Sequence, residues 1–178
     1  GVQTCALPIL DTWVSGTFAI AFWTVNHLWH LGKYNLGLSS CLGGTGMCIS
    51  ADIVREFGWG CDCLTEDMEF SMKCLSHRIR TCWVHDAIIY DEKPLTFMAS
   101  WRQRKRWAQG QFDCSERYIP ILMKEGFKRH SIVVLDGIMQ LLQNYFLLIS
   151  AFYLVMTYIN MFYPCFTVVL YNDALVPR

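Results

Sequence analysis

From Gly137 to Asn172 the chain carries no charged side chain. About 20 apolar residues in a helix cross the hydrocarbon core of a bilayer, where each backbone polar group must be satisfied inside the helix itself. The run therefore predicts a membrane-spanning helix over about Tyr145 to Phe162, a turn or kink at Pro164, and a second span begun beyond it. Just ahead, Gln140, Gln143 and Asn144 recur at roughly helical spacing, which suits contact with other helices or a polar passage better than contact with lipid. Basic residues gather before the span, at Arg102 to Arg106 and Lys124 to Arg129. Positive charge beside a membrane helix marks its cytoplasmic side.

Composition agrees with an integral membrane chain. Of the 178 residues 53% are hydrophobic and only 17% charged, more apolar than a soluble domain of this length needs. With 15 basic against 15 acidic residues, the basic surplus of a nucleic-acid-binding protein is missing. The nine cysteines show no paired framework of the secreted kind and are expected to be reduced, in a cytosolic setting. Cys61-Asp62-Cys63 lacks a second ligand pair at zinc spacing, so no metal is expected there. Residues 1 to 9 read like the translation of a sequencing adapter and are set apart, the native sequence beginning near Leu10. No basic region precedes the apolar stretch as it would in a signal peptide, and the chain is expected to be a fragment.

Between these ends the punctuation alternates short strands with helices, an α/β pattern. Trp13 to Leu31 is aromatic and nearly uncharged, broken by Gly16, His27 and His30, and predicts an amphipathic helix lying at a membrane interface or on the protein. Leu42 to Ile49 runs from a glycine turn into a short strand. Ser50 caps a helix that Gly58 stops, and Thr65 caps another running through Leu75. Strands follow at Arg80 to Val84 and Ala87 to Tyr90. Thr96 then opens a long helix to about Tyr118, with Pro120 as its stop.

Two clusters on this frame carry chemistry. Glu66 and Asp67 stand in a first helical turn, where the dipole favours ionised carboxylates. Alone, such a pair is an ordinary helix start. On the helix through Gln103, residues three and four apart share a face, so Gln103, Arg106 and Trp107 project together while Arg104 and Lys105 point elsewhere. A guanidinium binds phosphate oxygens bidentately, and an indole offers a flat apolar platform on which a sugar ring can stack. A carboxylate such as Asp67 can take the proton of an attacking hydroxyl as a bond forms. The histidines His77, His85 and His130 have no companion ligands nearby and are expected at the surface or at strand ends.

The succession Gly43-Gly44-Thr45-Gly46, Thr65-Glu66-Asp67, Glu92-Lys93-Pro94 and Gln103-Arg104-Lys105-Arg106-Trp107, ahead of a membrane span, closely resembles the processive family 2 glycosyltransferases, the cellulose, chitin, hyaluronan and poly-N-acetylglucosamine synthases. The resemblance implies a partial GT-A-type nucleotide-sugar domain with interfacial helices over residues 10 to 130, followed by a truncated transmembrane region over 131 to 178. It implies an inverting transfer from a nucleotide sugar, a UDP-sugar, to the hydroxyl end of a growing polysaccharide. Asp67 would be the general base, with Glu66 beside it. Gln103 and Arg106 would approach the donor diphosphate, Trp107 would stack near the acceptor terminus, and Gly44, Thr45 and Gly46 would lie under the acceptor. The Mg²⁺ or Mn²⁺ of the family sits on a D-x-D motif that lies upstream in relatives. No D-x-D occurs here, so this fragment is expected to be inactive alone. Two other readings share these residues: a single-transfer glycosyltransferase with a membrane-lipid acceptor, and a non-catalytic adaptor whose basic helix binds anionic lipid.

Overall fold

The computed structural model describes residues 2–8 and 11–162, and the chain divides into two units, 1–142 and 143–178. The described residues of the first unit are mostly helical around one small sheet. Strand β1 (Val2–Pro8) lies between β2 (Met47–Cys48), antiparallel to it, and β3 (Cys82–Asp91), parallel to it. The residues set apart in the sequence as adapter translation thus supply the central strand. The two strands expected over residues 80–90 form one strand. Its pairing with β1 jumps from Thr4↔Val84 to Cys5↔Ile88, so the predicted break survives as an irregularity at residues 85–87.

Helix α1 (Trp13–Thr24) opens on a reciprocal cap, in which Thr12 Oγ1 accepts from the Ser15 N–H at 3.3 Å and Ser15 Oγ from the Thr12 N–H at 2.9 Å. The path continues without a break through a π-helical turn (Val25–His30) into α2 (Leu31–Asn35). The expected amphipathic pattern is present with its polarity reversed. Trp13, Ile20, Trp23 and Leu28 are exposed, while Ser15, Asn26 and Lys33 are buried. Lys33 explains the inversion, because its Nζ pairs with Asp136 Oδ2 at 2.8 Å and donates to Gln140 Oε1 at 2.8 Å. Gln140 therefore faces another helix, as its spacing suggested.

Helices α3 (Ala51–Phe57) and α4 (Glu66–Ser76) lie where their caps predicted. Gly58 ends α3 at φ +66°, a left-handed conformation that glycine adopts without a Cβ penalty. Helix α5 (Phe97–Arg129) overrides its predicted stop: Pro120 lies inside it. A proline there removes one intrahelical hydrogen bond and crowds the preceding turn. The helix continues because the residues beyond it are needed in the core, where Leu122 is completely buried. Antiparallel to this end, α6 (Ile132–Leu141) contributes Val134, Ile138 and Leu141, which with Met72, Leu75 and Cys114 form the main core of α4, α5 and α6. Gly137 leaves room for the Leu75 side chain, which a Cβ would overlap.

The second unit contains α7 (Gln143–Phe162), long and apolar enough to cross a membrane. Its limits match the predicted span. Pro164 and the second span lie outside the described residues.

Candidate active site

The site is assembled where the start of α4 meets the middle of α5. Thr65 occupies the capping position of α4, but its hydroxyl, contrary to expectation, makes no capping bond and is buried without a partner among the described residues. Glu69 organises the turn instead. Its buried carboxylate accepts from the N–H groups of Asp62 at 2.8 Å and Cys63 at 2.7 Å, and it faces Arg117 at 3.7 Å. A buried carboxylate persists only when hydrogen-bonded and paired in this way. Sequence reasoning passed over Glu69. The available signal was an acid one turn into a helix face of methionine, phenylalanine and leucine.

Asp67 is half-buried and Glu66 exposed. Oδ1 of Asp67 accepts from the Met68 N–H at 2.7 Å. Oδ2 faces the glycine loop so closely that a Cβ on Gly44 would sit 3.6 Å from it. Ser71 fixes that loop, since its Oγ accepts from the Leu42 N–H at 2.8 Å and donates to the Asp67 carbonyl at 2.7 Å. Burial pushes the Asp67 carboxyl above the usual aspartate range. The Met68 and Gly44 N–H groups pull it back, and the charge of Glu66 adds to the rise. The expected dominance of the helix dipole, holding this carboxylate ionised, is overruled by desolvation. Further along the loop, Thr45 Oγ1 donates to Asp91 Oδ2 at 3.2 Å, and the same oxygen pairs with the buried Lys93.

On α5, Gly110 is the point of contact. A Cβ there would lie 2.7 Å from Thr65 Oγ1, 2.8 Å from its Cγ2 and 2.8 Å from its backbone nitrogen. Only glycine lets α5 approach the Thr65-Glu66-Asp67 turn this closely. Gly110 follows Arg106 by four residues, Trp107 by three and Gln103 by seven, so all four share the face turned toward α4. Gln103 is half-buried, and its Oε1 is buried with no hydrogen-bond partner among the described residues. Arg106 is exposed. Trp107 is half-buried and packs edge-on against Phe18 of α1, 6.1 Å between ring centroids. Arg104 does not point elsewhere, as expected, but lies 4.4 Å from the centre of that same Phe18 ring. Three residues before Trp107, it shares its side of the helix.

Other conspicuous side chains serve packing. Burial pushes the Cys41 and Cys61 thiols up to about 12 and Cys63 to about 11, which leaves them protonated and poor nucleophiles at neutral pH. His77 packs on Phe57 and His85 on His27, so ring contacts rather than surface exposure alone account for them. His30 stacks on Trp83 at 4.8 Å, and burial, aided by nearby Lys33, lowers it to about 4. Among the described residues, no three His, Cys, Asp or Glu side chains come together in a way that could hold a metal ion. The divalent ion that the resemblance implies therefore finds no ligand set in this part, and no chemical step is routed through one.

Comparison with known proteins bears on what such a junction is for. Over 80 residues the chain is 29% identical to "Probable glycosyltransferase YdaM" of Bacillus subtilis (strain 168), a stretch that covers 44% of this chain and 19% of that relative. Residues 1–176 match the family described as Glycosyl transferase family group 2. Because that match runs through both the glycine loop and the α4–α5 contact and on to the apolar end, the chain belongs to the group 2 family of glycosyltransferases.

Proposed function

We propose that this chain is the acceptor-side half of a membrane-bound, inverting glycosyltransferase that moves a sugar from a UDP-sugar to the terminal hydroxyl of a growing polysaccharide. One observation carries the reading: the close approach of Gly110 to Thr65, which sets Asp67 and the Gly44 loop against the face of α5 that bears Gln103, Arg106 and Trp107. In this reading the acceptor oxygen attacks the anomeric carbon as the bond from that carbon to the diphosphate oxygen breaks, inverting its configuration. The hydroxyl proton passes to the Asp67 carboxylate. A carboxyl lifted above the ordinary aspartate range is a stronger base than an exposed one and is still deprotonated at neutral pH.

The departing diphosphate gains negative charge, which the Arg106 guanidinium, aided by the Gln103 amide, is suited to stabilise. The orphaned Oε1 of Gln103 supports a bound group in the cleft, because a buried acceptor without a partner costs stability that a ligand can return. Trp107 offers the stacking surface for the acceptor ring, and Gly44 to Gly46 let a sugar approach the backbone. The outward aromatic face of α1 and the apolar α7 suit attachment to a bilayer.

Substitution of Asp67 by Asn in the protein that contains this chain tests the reading. Turnover of nucleotide sugar should fall by about 10²–10⁴-fold while UDP binding persists. Turnover equal to that of the unaltered protein removes Asp67 as the base. Chromatography of the products decides the acceptor: long chains support polymer extension, and one sugar per lipid replaces it with single transfer.

A further inference from the structure

Behind the indole of Trp107, cations and phenyl rings form a continuous row through the interior. The Arg104 guanidinium lies 4.4 Å from the Phe18 ring centre, and the Trp107 edge meets the same ring at 6.1 Å. Phe18 continues to Phe22, one helical turn on, at 6.4 Å between centroids. Lys93 Nζ sits 4.1 Å over the Phe22 ring and pairs through Asp91 with Thr45 of the glycine loop. Phe18 is 1% exposed and Lys93 7%.

Leucine would supply comparable apolar bulk at both ring positions, but no negative face. A cation over a ring is attracted by the ring's quadrupole, and more strongly where water is excluded, as it is around Lys93. The rings therefore fix two cations that belong to different walls of the cleft. Arg104 holds the helix turn that presents Trp107, and Lys93 holds the carboxylate that grips Thr45.

We propose that Phe18 and Phe22 are positioning residues that lock Trp107 and Thr45 in mutual register, so that both walls of the acceptor subsite are held by one strut, helix α1. The inference rests on the proposed roles of Trp107 and the glycine loop as acceptor contacts. Neither phenyl ring touches substrate; each acts through a cation or the indole beside it. Loosening the strut weakens the hold on the growing chain and leaves the donor diphosphate end untouched.

The test uses membranes containing the whole protein, supplied separately with UDP-glucose and UDP-N-acetylglucosamine, with product length and UDP affinity as readouts. Phe18→Leu and Lys93→Met should each shorten the product about fivefold while UDP affinity stays within about twofold. Lys93→Arg, which keeps the charge over the ring, should restore the length. A merely structural role would lower UDP affinity together with length, and that result overturns the proposal. Unchanged length in both variants with UDP affinity intact overturns it too. Asp67→Asn runs alongside: if it turns over like the unaltered protein, the reading of the site fails and takes the strut with it. If it is inactive while Phe18→Leu and Lys93→Met are normal, the strut alone is lost.

Discussion

The two halves of α5 use the same helical geometry for opposite ends. Before Gly110, the helix leaves Trp101, Arg102, Lys105 and Arg106 exposed, and its buried polar atom, Gln103 Oε1, has no partner among the described residues. After Gly110, Cys114, Ser115 and Leu122 are sealed, and Ser115 Oγ donates to the carbonyls of both Gln111 and Leu141. Fully satisfied packing in the rear half holds the front half still. A cleft can keep an unpaired acceptor only where something else supplies the stability.

That contrast can be broken by substitution. Leu122→Ala, in the rear half, should cost about 2–5 kcal/mol of stability by opening a cavity, measured by thermal unfolding in detergent. Activity per folded molecule should stay normal, and a selective loss of transfer would dissolve the division. Arg106→Lys, in the front half, should leave the unfolding transition alone yet slow transfer by about 10²–10³-fold, since an ammonium cannot reproduce a bidentate grip on a diphosphate. A silent Arg106→Lys would favour the basic face as general charge toward anionic lipid. Gly110→Ala sits at the boundary and should do both. It should destabilise by about 1–3 kcal/mol through overpacking against Thr65, and it should lower transfer as α5 is pushed from α4.

The smallest effect sharpens the front half through pH. Transfer needs Asp67 deprotonated, so the rate rises as pH climbs through its pKa. With that pKa lifted by burial, the acid limb of the rate profile should lie above that of an ordinary aspartate, whose value is 3.8. Glu66→Gln removes a charge that contributes to the rise, so the limb should move to lower pH. A shift to higher pH would contradict the stated cause.

Much of this was legible because caps and stops are local. Ser50, Gly58 and Thr96 mark helix ends through bonds to residues a few positions away, and the structure places those ends as read. The long uncharged run likewise announced α7. Pro120 misled because its local cost, of order 3 kcal/mol, is smaller than the burial that continues the helix beyond it. Gly110 and Glu69 were invisible for a different reason. Neither has a meaning until a segment some 45 residues away, or the turn that precedes it, is folded against it. Arg104 was misplaced because the three-residue spacing was applied to Gln103 and not onward to Trp107. The sheet stayed unreadable with its middle strand set aside.

The π-helical turn at Val25–His30 has a consequence for tolerance to insertion and deletion. Such a turn carries more residues per revolution than an α-helix. Losing one amino acid there would let the segment wind as ordinary α-helix and would rotate everything downstream by about 100°. Lys33 would swing off Asp136 and Gln140, and His30 off Trp83, although every residue upstream stayed in place. A single-codon deletion at this turn should thus be far more damaging than most point changes within it.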